Sequence, residues 1–356
     1  MMSDDAPRVP SPPPQSEGEE EIFARQKKSQ QPKRTKRDVH GWLIFDKPVG
    51  MTSTRAVSVA KRLYSAKRAG HAGTLDPLAS GLLPIALGEA TKTVPYVMDG
   101  RKTYQFTVRW GEERDTDDAE GKVVASSEQR PTADAVQALL PRFTGAIEQV
   151  PPQFSAIKVA GERAYDLARD GEIVELAART VDIHHLDIVE SPDADHTVLA
   201  AECGKGTYVR ALARDLGRIL GCYGHVSALR RTGVGLFHET AAITLDRLQD
   251  AAPEDGDSGG NLASLMTLLQ PVAAGLQALP SVTVSRSDAA RLARGQGVIM
   301  RGRDAPIMQG AVAVFTHGAL IALGEIEQGA LNPRRIFNLN GANATAGDAA
   351  VAPPAA

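Results

Sequence analysis

Asp76 stands immediately before Pro77 in the stretch RAGHAGTLDPLASGLLPIALGEATK (Arg68–Lys92), just downstream of Lys61, Arg62, Lys67 and Arg68. A proline disfavours helical geometry at the residue before it and pushes that residue toward an extended conformation. Glycines on either side, Gly73 and Gly81, let a second backbone or a ligand approach closely. The combination would hold one carboxylate at the tip of a stiff loop, where it can serve as a nucleophile or a base. Gly, Asp and Pro also dominate ordinary turns, so Leu-Asp-Pro by itself reads first as a turn.

Two further segments carry charge that chemistry could use. In CGKGTYVRALARDLG (Cys203–Gly217), glycines flank Lys205 ahead of a helix start, where backbone amides can meet a phosphate. The spacing is not that of a Walker motif. Arg210, Arg214 and Arg218 recur at four-residue steps and line one helix face, which alone reads as a solvated stripe. In HVSALRRTGVG, Leu229 precedes the adjacent Arg230 and Arg231, a pair that usually lies on a surface. His184–His185 reads as a strand pair rather than a metal site. Asp115, Asp117 and Asp118 lack the glycine and closing glutamate of a calcium loop.

These residues need elements to position them. Gly41–Phe45 reads as a strand, and DKPVGMTS (Asp46–Ser53) as a turn into a helix capped by Ser53, with Ala56, Val57, Ala60, Leu63 and Tyr64 on one face. Leu83, Ile85 and Leu87 alternate as a strand, as do Tyr104, Phe106, Val108 and Trp110, followed by the acidic loop GEERDTDDAEG. Thr132 caps a helix burying Val136, Leu139, Leu140 and Phe143. Thr197–Cys203 is a strand, and a helix from Thr207 buries Val209, Leu212, Ala213, Leu216 and Leu220. Without regular β-α-β alternation the class is α+β.

The net charge of −3 hides a segregated distribution. Residues 1–38 pass from a Pro/Ser/Glu-rich run into Lys27, Lys28, Lys33, Arg34, Lys36 and Arg37, and read as a disordered tail able to touch phosphates. The two cysteines, Cys203 and Cys222, are far apart, which argues for a reduced setting with neither disulfide nor zinc. No apolar run suffices to cross a membrane, and no secretory signal is present, so a cytoplasmic protein is expected. The division predicted is a tail at 1–38, a catalytic domain at 39–250, a linker with a connecting helix at 251–278, a small β-rich domain at 279–340 and a tail at 341–356. Ala252–Gly260 carries no functional reading. In the β-rich part, Ser287 is expected to cap a helix and AVAVFTHGALIALGEI to turn at Thr316–Gly318.

Taken in order, DKPVGMTS, HAGTLDPLASGLLPIALGEATK, KTYQFTVRWGEERDTDDAEG, VPPQFSAIKVAGERAYDLAR and CGKGTYVRALARDLG resemble the bacterial TruB family of tRNA pseudouridine synthases, over Gly41 to Phe237. The resemblance implies a mixed, mainly antiparallel sheet flanked by helices, with a PUA-like carboxy-terminal domain, and isomerisation of uridine 55 in the T loop of tRNA. It implies that Asp76 is the catalytic aspartate and Arg210 its partner. Tyr104 would stack on the uracil and take part in proton removal at C5. Tyr208 and Leu229 would line the pocket, His71 would fill the space left by the flipped nucleotide, and Lys47 would support the loop. Gly73, Thr74 and Lys205 are expected on the substrate side, and Val150–Leu167 as a thumb-like segment over the RNA.

The reaction moves one glycosidic bond within one nucleotide, so no cofactor and no metal is expected. Flipping costs a few kcal/mol of unstacking, and an aromatic platform returns about 1–3 kcal/mol. Lys61, Arg62, Lys67, Arg68, Arg230 and Arg231 are expected to follow the RNA backbone of the T stem-loop, giving steep salt dependence. The enzyme is expected to work as a monomer without a protein partner. Two other readings are an RNA-folding factor whose catalysis is secondary and a guide-dependent synthase of a ribonucleoprotein. A glycoside hydrolase would need a second carboxylate across the bond, and no convincing partner for Asp76 stands in the sequence.

Overall fold

The computed structural model describes residues 35–155, 157–159, 162–163, 176–252, 262–300 and 308–339. The expectations for the amino-terminal tail up to residue 34, for most of the thumb-like segment, for 253–260 and for the final tail lie outside these residues.

Apolar alternation becomes a sheet of ten strands. Its main path comprises β1 (Gly41–Lys47), β2 (Ser80–Leu87), β3 (Lys102–Trp110), β4 (Gly145–Gln149), β5 (Arg179–Asp193), β6 (His196–Cys203), β7 (Gly224–Val234) and β8 (Leu269–Gln270). Their order is β8-β1-β2-β7-β3-β6-β5-β4, with only the β2–β7 pair parallel among these neighbours. The short strands Ala69–His71 and Phe237–His238 pair with β2 and β7. On β3, Phe106, Val108 and Trp110 are buried while Gln105 and Arg109 are exposed, as the period-two pattern requires. β2 differs. Leu82, Leu83, Ile85, Ala86 and Leu87 are all buried, because this strand has a core on each face.

One core gathers Leu43, Phe45, Leu83, Ile85, Phe106 and Trp110 under the helices α1 (Ser53–Leu63) and α2 (Val209–Ile219). The other joins Trp42, Ile44, Leu82 and Ala86 to Ala313, Leu320, Leu323 and Phe337. Each large apolar side chain so buried contributes about 1.5–3 kcal/mol. The second core rests against a five-stranded sheet ordered Ser281–Thr283, Gly310–Thr316, Ala319–Glu327, Ala330–Ile336 and Val298–Ile299. The expected hairpin turns at His317–Gly318, both with positive φ (49° and 81°), the twist that a two-residue hairpin prefers. Glu89 and Lys92, paired at 2.6 Å, tie this sheet down: Glu89 accepts the Asn338 N–H at 2.8 Å and Lys92 Nζ donates to the Ile336 carbonyl at 2.7 Å. The class is α+β, with a large mixed, mainly antiparallel sheet and a smaller carboxy-terminal sheet consistent with a PUA-like unit.

Two caps differ from expectation by one or two residues. Thr52, not Ser53, accepts from the Arg55 N–H at the start of α1. Ser285, not Ser287, caps Arg286–Ala293. In both places two hydroxyl residues compete, and the first in an extended conformation takes the cap. Ser53 is thereby released for another task.

Candidate active site

The segment from Gly73 to Ala79 has few internal bonds and is held from outside, residue by residue. Arg231 donates to the carbonyls of Gly73 and Thr74 at 3.1 Å each. Buried Ser53 Oγ both donates to the Leu75 carbonyl and accepts the Leu75 N–H, each at 2.9 Å. The Pro77 carbonyl accepts from the Gly50 N–H at 2.7 Å and from Lys47 Nζ at 3.4 Å. Lys47 is fully buried on β1 and also donates to Met51 O at 2.8 Å and Pro48 O at 3.0 Å. Burial pushes its ammonium down to about 8, partly opposed by the Asp76 carboxylate. With its backbone fixed on both sides, the Asp76 side chain is presented rather than merely exposed.

Asp76 Oδ2 lies 3.0 Å from Arg210 Nε, with the carboxylate side chain 37% exposed and the guanidinium side chain 7%. Arg210 is in the first turn of α2, where a cation opposes the helix dipole. It is compensated heavily. One terminal nitrogen donates to Thr116 O at 2.8 Å and meets Asp118 Oδ2 at 3.2 Å, and the other donates to Phe154 O at 3.0 Å. One turn on, buried Arg214 meets Asp117 Oδ2 at 2.9 Å and the Val150 carbonyl at 2.8 Å, and Arg218 meets Glu113 at 2.7 Å. The arginine stripe that reads as solvated in the sequence faces the acidic hairpin instead, and its first two members are buried.

Tyr104, Phe106, Leu229 and Arg231 are cross-strand partners on β3 and β7, in the pairs Tyr104–Arg231 and Phe106–Leu229. Burial pushes the Tyr104 phenol above its usual range, while the Arg231 charge at its hydroxyl pulls the other way. Tyr208 caps α2, and the buried Gln149 amide brackets its peptide, accepting its N–H at 2.9 Å and donating to its carbonyl at 3.2 Å. His71, on the short strand beside β2, is pushed down by burial and by Arg231, so it is neutral at neutral pH.

Thus Asp76, Arg210, Tyr104, His71, Lys47, Gly73, Thr74 and Leu229 belong to one connected region, with Tyr208 two residues before Arg210 in sequence. Lys205 is exposed and pairs with Asp99 at 2.8 Å. The basic residues divide. Lys61, Arg62 and Arg68 are exposed, and Lys67 is exposed with Asp38 at 2.6 Å. Arg230 makes a bidentate pair with Asp46, both contacts at 3.0 Å, and meets Glu239 at 2.9 Å. Arg231, expected along the RNA-facing surface, is buried at 1% exposure, because the loop carbonyls and Tyr104 enclose it. Asp117, Asp118, Ser53 and Gln149 were not anticipated as parts of the site. The matching run of carboxylates (Glu113, Asp117, Asp118) to a four-step arginine stripe is the signal that could have found the first two.

A family model for the N-terminal domain of TruB family pseudouridylate synthases matches residues 61–209, and one for the tRNA pseudouridylate synthase B C-terminal domain matches 210–277. A tRNA pseudouridine synthase B of Nitrobacter winogradskyi is 65% identical over 315 residues, 88% of this chain and 87% of that protein. One of Bradyrhizobium diazoefficiens is 63% identical, covering 91% and 93%. Among solved structures, a crystal structure of a Cbf5-Nop10-Gar1 complex is similar with a TM-score of 0.65 at 27% identity, covering 84% of this chain and 85% of that one. An archaeal box H/ACA sRNP Nop10-Cbf5 complex gives 0.64 at 25%, covering 87% and 89%.

Proposed function

The chain belongs to the TruB family of pseudouridylate synthases, and on that premise we propose that it isomerises uridine to pseudouridine at position 55 in the T loop of tRNA, with Asp76 as the catalytic carboxylate. The observation that carries the reading is the Asp76–Arg210 pair, one partner accessible and the other buried, on a loop whose carbonyls are held one by one. A flipped base reaches such a carboxylate, and the guanidinium keeps it aimed.

The bond from C1′ to N1 breaks, the uracil turns, C5 bonds to C1′, and the C5 hydrogen leaves as a proton while N1 gains one. Asp76 takes part in this exchange as the catalytic carboxylate. Tyr104 supplies the stacking platform and takes part in removing the proton from C5. Tyr208 and Leu229 complete the pocket, and neutral His71 occupies the space that the base leaves without introducing a buried charge. Lys61, Arg62, Lys67 and Arg68 follow the RNA backbone. The relatives named tRNA pseudouridine synthase B support tRNA as the substrate class. On this reading the enzyme works alone, as a monomer, in the cytoplasm. No described helix is long and apolar enough to cross a membrane.

Purified protein incubated with an unmodified tRNA transcript carrying tritium at uridine C5 tests the reading. Release into water from wild type, absent when position 55 is cytidine and with no guide RNA added, supports it. Release that requires a guide would favour a ribonucleoprotein synthase, and tight binding with no release would favour an RNA-folding factor.

A further inference from the structure

Arg231 is a buried charge beside the catalytic loop that the mechanism above leaves without a task. Among the described residues its guanidinium donates to three backbone carbonyls, and its charge lies close enough to the Tyr104 hydroxyl to draw that phenol's ionisation down. A buried guanidinium with no carboxylate partner is costly, and an apolar side chain of similar size would pack there more cheaply. Something beyond packing accounts for its presence.

Its contacts are placed around Asp76. Gly73 and Thr74, whose carbonyls it bonds at 3.1 Å, lie on the inbound arm of the loop, and Leu82, bonded by Nε at 2.8 Å, lies on the outbound arm. Its backbone is equally constrained, pairing with Gly81 of β2 on one side and Tyr104 of β3 on the other. Gly81 has φ +99°, and a Cβ there would come within 2.3 Å of the Arg231 carbonyl, so the close approach requires glycine. β7 therefore delivers one guanidinium between the loop and the tyrosine. A planar fork suits three diverging carbonyls, which a lysine point charge cannot span.

We propose that Arg231 is a positioning residue of the isomerisation: it ties the two arms of the Asp76 loop together and sets a positive charge at the Tyr104 hydroxyl, keeping carboxylate and phenol in fixed relation while the uracil enters. This rests on the pseudouridine synthase reading. The charge favours the phenolate form of Tyr104, the form able to accept the C5 proton. Of the other groups facing that phenol, Asp76 and the Cys203 thiol oppose ionisation. The Lys102 ammonium, two residues along β3, is engaged by the carbonyls of Met98 and Gly100.

The test uses full-length Arg231→Met and Arg231→Lys with the C5-tritiated transcript, measuring single-turnover release, tRNA affinity and the pH profile of the rate. The methionine variant is expected to lose about 10–100-fold in rate, with tRNA Kd within about threefold of wild type. Its rate should also rise with pH later than wild type does, because the phenol has lost its cation. The lysine variant, which keeps the charge but not the fork, should fall between the two and keep the wild-type pH dependence. Rates within about threefold of wild type in a cooperatively unfolding variant would overturn the proposal, as would a loss confined to tRNA affinity. If the methionine variant does not fold, the lysine variant decides by the same rate criterion. A wild type that releases no tritium overturns the functional reading itself, a result distinct from an active wild type with equally active variants.

Discussion

Helix α2 carries two arginine–aspartate pairs one turn apart that look alike by distance and differ by access. Arg210 meets Asp76 at 3.0 Å and Arg214 meets Asp117 at 2.9 Å, and both arginine side chains are buried. The Asp76 carboxylate is 37% exposed, the Asp117 carboxylate 7%. Asp76 sits on a loop pinned by Arg231, Ser53 and Lys47. Asp117, with φ 60°, sits in an acidic hairpin that closes over the helix. A carboxylate that must meet a substrate is held by its backbone and left open at its oxygens. A carboxylate that holds the fold is covered. On the proposed assignment, geometry between partners does not separate catalysis from structure; solvent access does.

The largest effect that would sharpen this contrast is on turnover. Asp76→Asn is expected to lower single-turnover release by about 10,000-fold or more, with the unfolding midpoint almost unchanged, since Arg210 keeps Asp118 and two carbonyls. Arg214→Met should invert the pattern. Leaving Asp117 buried without its cation costs about 3–5 kcal/mol in chemical denaturation, while the rate per folded molecule stays within about tenfold of wild type.

Acid offers a subtler break. Burial pushes Asp117 up to about 6 against the pull of Arg214 and Arg210. A folded value above the unfolded one means the folded state binds the proton more tightly, so this group adds stability as pH falls through 6 and adds none well above it. Wild type should thus gain about 1 kcal/mol relative to Asp117→Asn between pH 7 and pH 5, read as a shift of the difference between the two denaturation midpoints in favour of wild type. An unchanged gap would mean that the pair titrates as a surface bridge does. The smallest effect expected lies at the rim. Changing Lys61, Arg62 and Arg68 to Ala should flatten the salt dependence of tRNA binding by up to about three counterions, with the rate at saturation unaltered.

Sequence pattern goes far in this molecule where period and chemistry agree. The alternation from Tyr104 to Trp110, the Thr132 cap and the His317–Gly318 hairpin are all local features, and each stands as expected. The non-helical loop around Asp76 was legible because proline and glycine mark an unusual backbone, whereas the role proposed for its carboxylate came from the family resemblance. What local pattern could not reveal was pairing across the chain. Arg231 and Arg214 read as surface residues because arginine usually is one, and only the folding of β7 against the loop and of the acidic hairpin against α2 buries them. Ser53 stood beside an equally good cap, and its bonds to Leu75 span 22 positions in sequence, beyond any local rule.

The most direct test puts the two aspartates through the same pair of measurements. Asp76→Asn and Asp117→Asn are each assayed for tritium release from a C5-tritiated tRNA transcript and for denaturation midpoint. The expected result is a crossed pattern, in which Asp76→Asn loses release and keeps its midpoint while Asp117→Asn loses stability and keeps most of its release when folded. Release by a folded Asp76→Asn at the wild-type rate would contradict the assignment of the accessible carboxylate as the catalytic one.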